Sequence, residues 1–142
     1  MADSEVHIPN YIIRRNDRNR QGGGVCVYVR QDLAFNPRDD MTHCDLEATW
    51  IDIFLPKSKP ILCGTIYRPP TQQNFFSALE SVCSMFIHPG TETVILGDFN
   101  VNVLSRCALV DKLLSFTNLF NFKQLIQDPT RICKTSSSCI DL

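Results

Sequence analysis

The sequence predicts an α/β or α+β sandwich, built as a single domain over residues 1–142. Three observations carry this. Two early runs, "VCVYVR" and "ATWIDIFL", space their apolar residues as strands do. The segment "NFFSALESVCSMF" then changes period, with Phe75, Phe76, Leu79, Val82, Cys83 and Phe86 forming one wide helical stripe. Finally, "TVILG" and "ALVDKLLSFTNLF" repeat the alternation of strand and helix. Strands therefore come first, followed by strand, helix, strand, helix, strand. A chain of 142 residues can bury one core and little more.

The elements follow in order. "RNDRNRQGGG" reads as a loop closed by three glycines. It lacks the lysine and Ser/Thr of a phosphate-binding P-loop and precedes a strand rather than a helix, so conformational freedom is the simplest reason for the glycines. In "VCVYVR", Val25, Val27 and Val29 alternate with Cys26 and Tyr28. In "ATWIDIFL", Trp50 falls on the face opposite Ile51, Ile53 and Leu55. A turn from Pro56 to Pro60 leads to a third strand, "ILCGTIY", which Pro69 and Pro70 stop because proline has no amide hydrogen to donate. His88-Pro89-Gly90 ends the first helix. "TVILG" is continuously apolar, as expected of a strand covered on both faces. "ALVDKLLSFTNLF" is the second helix. A short strand is expected around Leu125 and Ile126, then a loop at "QDPTRI", then a strand entering at "CIDL". The last strand begins as the chain stops, and "VCVYVR" has little before it to pair with. A domain truncated at both ends is the expectation.

Composition is that of an ordinary globular domain, 44% hydrophobic and 20% charged. The net charge of −1 excludes a polycation, but the charge is unevenly spread. Residues 14–30 hold five arginines (Arg14, Arg15, Arg18, Arg20, Arg30) against Asp17 alone. Residues 32–52 hold six acids against Arg38. The basic run can attract phosphate, or it can be a solvated loop. The seven cysteines are an odd count without a CxxC pair. Cys26, Cys63 and Cys83 sit in apolar runs, where a thiol acts as a small hydrophobe. Cys133 and Cys139 have no histidine near them to suggest zinc. Reduced thiols and an intracellular protein are expected. The polar N-terminus is no signal peptide, and no apolar run is long enough to span a membrane. His7, His43 and His88 lack metal-ligand spacing and are given no role.

Chemistry concentrates where strands end. Asp98 and Asn100 follow "VILG" two residues apart, so they share a face if the extension persists. Asp98 can serve as a general base or hold a divalent cation such as magnesium, and Asn100 can bond a phosphate oxygen or orient a water. Asp and Asn are also common at ordinary strand exits. Tyr67 and Arg68 close "ILCGTIY", where both can contact phosphate, although Tyr67 serves equally as a core-edge aromatic. Asp141 lies within an apolar strand entry and needs a partner.

In combination and order, "GGGVCVYVR", "GTIYRPP", "ILGDFNVN", "DPTRI" and "SSSCIDL" resemble the endonuclease domain of non-LTR (LINE-type) retrotransposons, within the endonuclease/exonuclease/phosphatase superfamily. "GDFN" after an apolar strand, with "YRPP" upstream, is the specific part, and the resemblance covers nearly the whole chain. It implies a four-layer sandwich of two central sheets flanked by helices. It also implies Mg2+- or Mn2+-dependent phosphodiester hydrolysis that nicks DNA, in a nuclear protein with no small-molecule cofactor. On that resemblance Asp98 is the base or orienter for water, Asn100 and Tyr67 hold the phosphate, and Asp141 orients a catalytic histidine. Arg68, Thr130, Arg18 and Arg20 would face nucleic acid. The family's metal-binding glutamate and terminal Asp-His pair have no counterpart here, so no metal ligand is assigned. A weakly active or inactive fragment is expected. The alternatives are a non-catalytic nucleic-acid-binding remnant or domesticated module, and a small-phosphoester phosphatase, which the "DRNRQGGGV" and "DPTRI" context disfavours. Strands missing from both sides would expose sheet edges and favour self-association.

Overall fold

The computed structural model describes residues 5–18 and 24–142. Among these residues, eight strands and two helices follow in the order β1 (Tyr11–Asp17), β2 (Gly24–Arg30), β3 (Ala34–Pro37), β4 (Glu47–Phe54), β5 (Ile61–Tyr67), α1 (Phe75–Phe86), β6 (Glu92–Asp98), α2 (Ala108–Leu119), β7 (Arg131–Ile132) and β8 (Ser137–Ser138). A 3-10 turn at Asp39–Met41 precedes β4. The main sheet has the order β3-β4-β5-β6, β1 pairs with β2, and β7 pairs with β8. The β3–β4 and β4–β5 pairs are antiparallel, whereas β5 and β6 are parallel and joined through α1. Parallel strands need such a crossover, because no tight turn can return the chain to the same end.

The expected α/β sandwich is present. Among the described residues it has three layers: helices, main sheet and the β1–β2 hairpin. Both helices cover one face of the main sheet. Phe75, Leu79, Val82 and Cys83 of α1 and Leu113 and Phe116 of α2 share a core with Trp50, Leu62 and Ile66. On the other face, Val29 of β2 packs on Ile51 and Cys63. The period-2 pattern of β4 therefore splits as expected, Trp50 to one core and Ile51 and Ile53 to the other. Trp50 lies opposite Gly64, where a Cβ would sit 2.3 Å from the indole ring. Helix α2 ends in a Schellman arrangement. Asn121 adopts φ 55°, Phe122 N–H reaches Thr117 O at 2.7 Å, and the Phe122 ring stacks on Phe116 at 5.7 Å.

Several expectations need correction. The arginine segment is only partly loop, since Arg14 and Arg15 lie in β1, which pairs with the whole of β2. Its two isoleucines alone gave little apolar alternation; the pairing partner makes it a strand. β3 is a short edge strand that the pattern did not reveal. β6 is not covered on both faces. It is the sheet's edge, and Val94 and Leu96 are 42% and 41% exposed. They lie on the hairpin side, but the hairpin core reaches β4 and β5 and does not include them. Leu125 and Ile126 form no strand, and Leu125 is 74% exposed. Cys26 is exposed rather than packed, whereas Cys63 and Cys83 are buried as expected.

The two charge runs largely answer each other. Arg14 pairs with Asp39 at 3.1 Å and Arg18 with Glu47 at 2.9 Å, joining the hairpin to the main sheet. Arg15, Arg30 and Arg38 pair with Asp17, Asp32 and Asp40, and Arg38 also reaches Asp52. Proximity to Arg38 holds the Asp40 carboxyl below its usual range. Arg20, Gly22 and Gly23 lie outside the described residues.

Candidate active site

Sheet register assembles the site. Glu47 lies opposite Tyr67, and Tyr67 beside Asp98. Asp98 in turn forms an isolated antiparallel bridge with Asp141. Directly paired residues project on one face, so these four side chains form a row across four adjacent segments on the face toward the hairpin. Tyr67 and Asp98 are the last residues of parallel strands. The carboxyl end of parallel strands is where open α/β sheets bind ligands.

The Asp98–Asp141 pair is held from both sides. Phe99 N–H bonds Ile140 O, and Leu142 N–H bonds Gly97 O, each at 2.9 Å. Bonds that flank a pair make it the close kind, with Cα atoms about 4.5 Å apart. Thr130 fixes the same segment, because its hydroxyl accepts both Ile140 N–H and Asp141 N–H at 3.2 Å. Thr130 thus anchors Asp141 through the backbone. Gly97 permits the approach of β6 to β5: its φ is 146°, and a Cβ would lie 1.8 Å from Ile66 O.

Asp98 and Asn100 do not share a face through continued extension. The strand stops at Asp98, and Asn100 turns back with φ 49°. Asp98 Oδ1 accepts Asn100 N–H at 2.9 Å, a local turn that aspartate favours. Asn100 Nδ2 donates to Arg68 O at 2.8 Å. An amide nitrogen carries two hydrogens, so among the described residues a second donor and the amide oxygen have no partner.

Arg68 departs most from expectation. It is 2% exposed, and its guanidinium faces backbone rather than solvent. Nη1 donates to Phe99 O and Asn100 O at 3.4 and 3.5 Å, and Nη2 to Pro70 O and Gln72 O at 3.4 and 3.0 Å. Its own N–H bonds Asp98 O at 2.9 Å. Among the described residues Nε has no hydrogen-bond partner, and burial lowers the pKa of the group, though arginine stays charged. Arg68 braces the loop that carries Asn100. The polar residue inside that loop turn explains why an arginine follows a buried strand.

Arg18, by contrast, sits at the row, with its guanidinium carbon 5.8 Å from the Tyr67 ring centre. The Tyr67 hydroxyl and the Asp141 carboxylate take no hydrogen bond among the described residues. The paired carboxylates of Asp98 and Asp141 offer only hard oxygen ligands. That suits magnesium, which binds through one or two carboxylates and keeps several waters. Glu47 is engaged elsewhere. A second group of ligand types lies in the turn before β4, where His43, Cys44 and Asp45 come within 4.8 Å of one another. There His43 Nδ1 already accepts Asp45 N–H at 3.1 Å. A cavity of about 500 Å³ lies between Ile95, Phe99, Leu113, Phe116 and Phe122, and includes none of the row.

Sheet order, crossover and site now stand together. The fold is similar to that of a retrotransposon endonuclease domain. The solved structure is the endonuclease domain of TRAS1, a telomere-specific non-LTR retrotransposon, with a TM-score of 0.74 and 14% sequence identity. The match covers 94% of this chain and 64% of the TRAS1 domain, so the chain spans just under two thirds of that relative. No protein-family model matches the chain, and no curated protein does. The likeness to the TRAS1 domain is therefore one of fold.

Proposed function

We propose that the chain is a nuclease-like domain that binds nucleic acid and hydrolyses a phosphodiester bond of DNA at the Tyr67–Asp98–Asp141 row. The observation that carries this reading is the register that sets Tyr67, Asp98 and Asp141 side by side at the carboxyl ends of β5 and β6, in a fold similar to the TRAS1 domain. The Tyr67 hydroxyl and the Asn100 amide donate to phosphate oxygens and orient the scissile group. Asp98 orients the attacking water and accepts its proton as the water oxygen bonds phosphorus; the P–O bond to the leaving sugar oxygen breaks, and that oxygen takes a proton from solvent. Asp98 and Asp141 would together hold Mg2+ or Mn2+, whose positive charge would polarise the phosphate oxygen and ease ionisation of water. The TRAS1 domain is the endonuclease domain of a telomere-specific non-LTR retrotransposon. Action on DNA would place the protein in the nucleus, and among the described residues no helix is long and apolar enough to cross a membrane. Self-association would use the open edge of β6 around Val94 and Leu96.

A supercoiled-plasmid nicking assay with magnesium tests the proposal. Weak nicking is expected, with a further loss of at least roughly 100-fold in Asp98→Ala, as for removal of a general base. Nicking that survives Asp98→Ala would refute the assignment. Salt-sensitive DNA binding without nicking would leave the binding-module reading in its place.

A further inference from the structure

We propose that Glu47 is a positioning residue that holds Arg18 on the Tyr67 ring, so that the terminal guanidinium nitrogens receive a phosphate of a nucleic-acid strand bound along the row. This rests on the nuclease-like reading above. Glu47 begins β4 and stands at the end of the row, next to Tyr67. Both of its oxygens are used. Oε1 meets Arg18 Nε at 2.9 Å, and Oε2 accepts Gly24 N–H at 3.2 Å. Arg18 follows β1 and Gly24 opens β2, so one carboxylate pins both flanks of the connection between the hairpin strands. Asn16 adds a tie beside it, with Nδ2 donating to Ala48 O at 3.0 Å.

The geometry is unlike that of a solvated surface pair. The Glu47 side chain is 18% exposed, whereas that of Arg18 is 43% exposed. Arg18 is gripped through Nε, and among the described residues neither terminal nitrogen has a partner. Those two nitrogens form the fork that binds phosphate in bidentate fashion. The aromatic face beneath supports the cation and fixes the plane of the guanidinium. Orientation is thus supplied before a strand arrives, which lowers the entropy cost of the contact.

Glu47 is negatively charged, so field strength alone predicts that removing it tightens binding to a polyanion. Positioning predicts the opposite, and that contrast supplies the test. Fluorescence anisotropy of a short labelled DNA duplex is measured for the parent chain, Glu47→Gln, Arg18→Ala and the double variant, across a salt series. Glu47→Gln is expected to weaken binding roughly three- to tenfold in the parent but not in the Arg18→Ala background. The slope of log affinity against log salt is expected to fall by about 0.9 for the lost phosphate contact. Tighter binding by Glu47→Gln in the parent, or equal weakening in both backgrounds, would overturn the positioning role while leaving the nuclease-like reading intact. Failure of the parent chain to bind DNA would overturn both. Without DNA, NMR relaxation is expected to show a restrained Arg18 guanidinium that gains mobility in Glu47→Gln. A freely rotating Arg18 guanidinium in the parent overturns the proposal independently.

Discussion

Replacing Gly97 with alanine separates two reasons for a glycine beside the site. Gly97 has φ 146°, a conformation that costs an L-residue about 1–3 kcal/mol. In addition, a Cβ would lie 1.8 Å from Ile66 O, far inside contact distance, and the obstacle is backbone of the paired strand. Relieving that clash forces β6 away from β5 and adds about 1–3 kcal/mol, as for overpacking in a core. The total is roughly 2–6 kcal/mol, a large part of the stability of a small domain. Gly90→Ala is the control. Its φ of 88° is also positive, but the nearest atom to an added Cβ is Lys59 Nζ at 3.8 Å, so it bears the conformational cost alone. Urea denaturation followed by tryptophan fluorescence reads both, through Trp50 in the core. Gly97→Ala is expected to lower the midpoint clearly more than Gly90→Ala. Equal losses would refute the argument that close packing of β6 on β5 requires the glycine. Because Gly97 also exchanges both backbone bonds with Leu142 at 2.9 Å, the same variant is expected to increase amide exchange at Leu142.

Two further predictions follow from burial. Arg68→Met keeps the volume but leaves the carbonyls of Phe99, Asn100, Pro70 and Gln72 without their donor. It is expected to cost about 2–4 kcal/mol in chemical denaturation. A selective loss of affinity at full stability would show instead that Arg68 meets phosphate. Among the cysteines, burial raises the thiol pKa of Cys63 and Cys139 and pushes Cys83 up to about 12. Thiol-reagent labelling at pH 8 is expected to modify Cys26, Cys44, Cys107 and Cys133 quickly and these three slowly. The unfolded chain ionises first, at the ordinary thiol value of 9.0, so the contribution is present below pH 9 and stability falls as pH rises toward about 12. Fast labelling of Cys83 in folded protein would contradict its burial.

The sequence made the strand ends legible because strand exits leave local marks. Apolar runs stop at Tyr67 and at Asp98, and prolines or polar residues follow immediately. The same locality explains what escaped. β1 carries two isoleucines and two arginines, and only its pairing with β2 makes it a strand. Glu47 lies in an acidic run with nothing to distinguish it from Asp45 or Asp52; register alone sets it beside Tyr67. Arg68 looked outward by residue type, yet its side chain points from the sheet into the turn that carries Asn100. Coverage of β6 depends on how far the hairpin extends over the opposite face, which no property of "TVILG" encodes.

By itself, the sequence determined the alternation of strands and helices, the division of β4 between two cores, and the candidates Tyr67, Asp98, Asn100 and Asp141. These depend on local periodicity and on where an apolar run ends. The tertiary structure alone decided which of them stand together: Asp141 against Asp98, Glu47 beside Tyr67, Arg18 over the ring and Arg68 inside. Those neighbours lie tens of residues apart in the chain, and only strand register, set by backbone hydrogen bonding and side-chain packing across the sheet, brings them to one face.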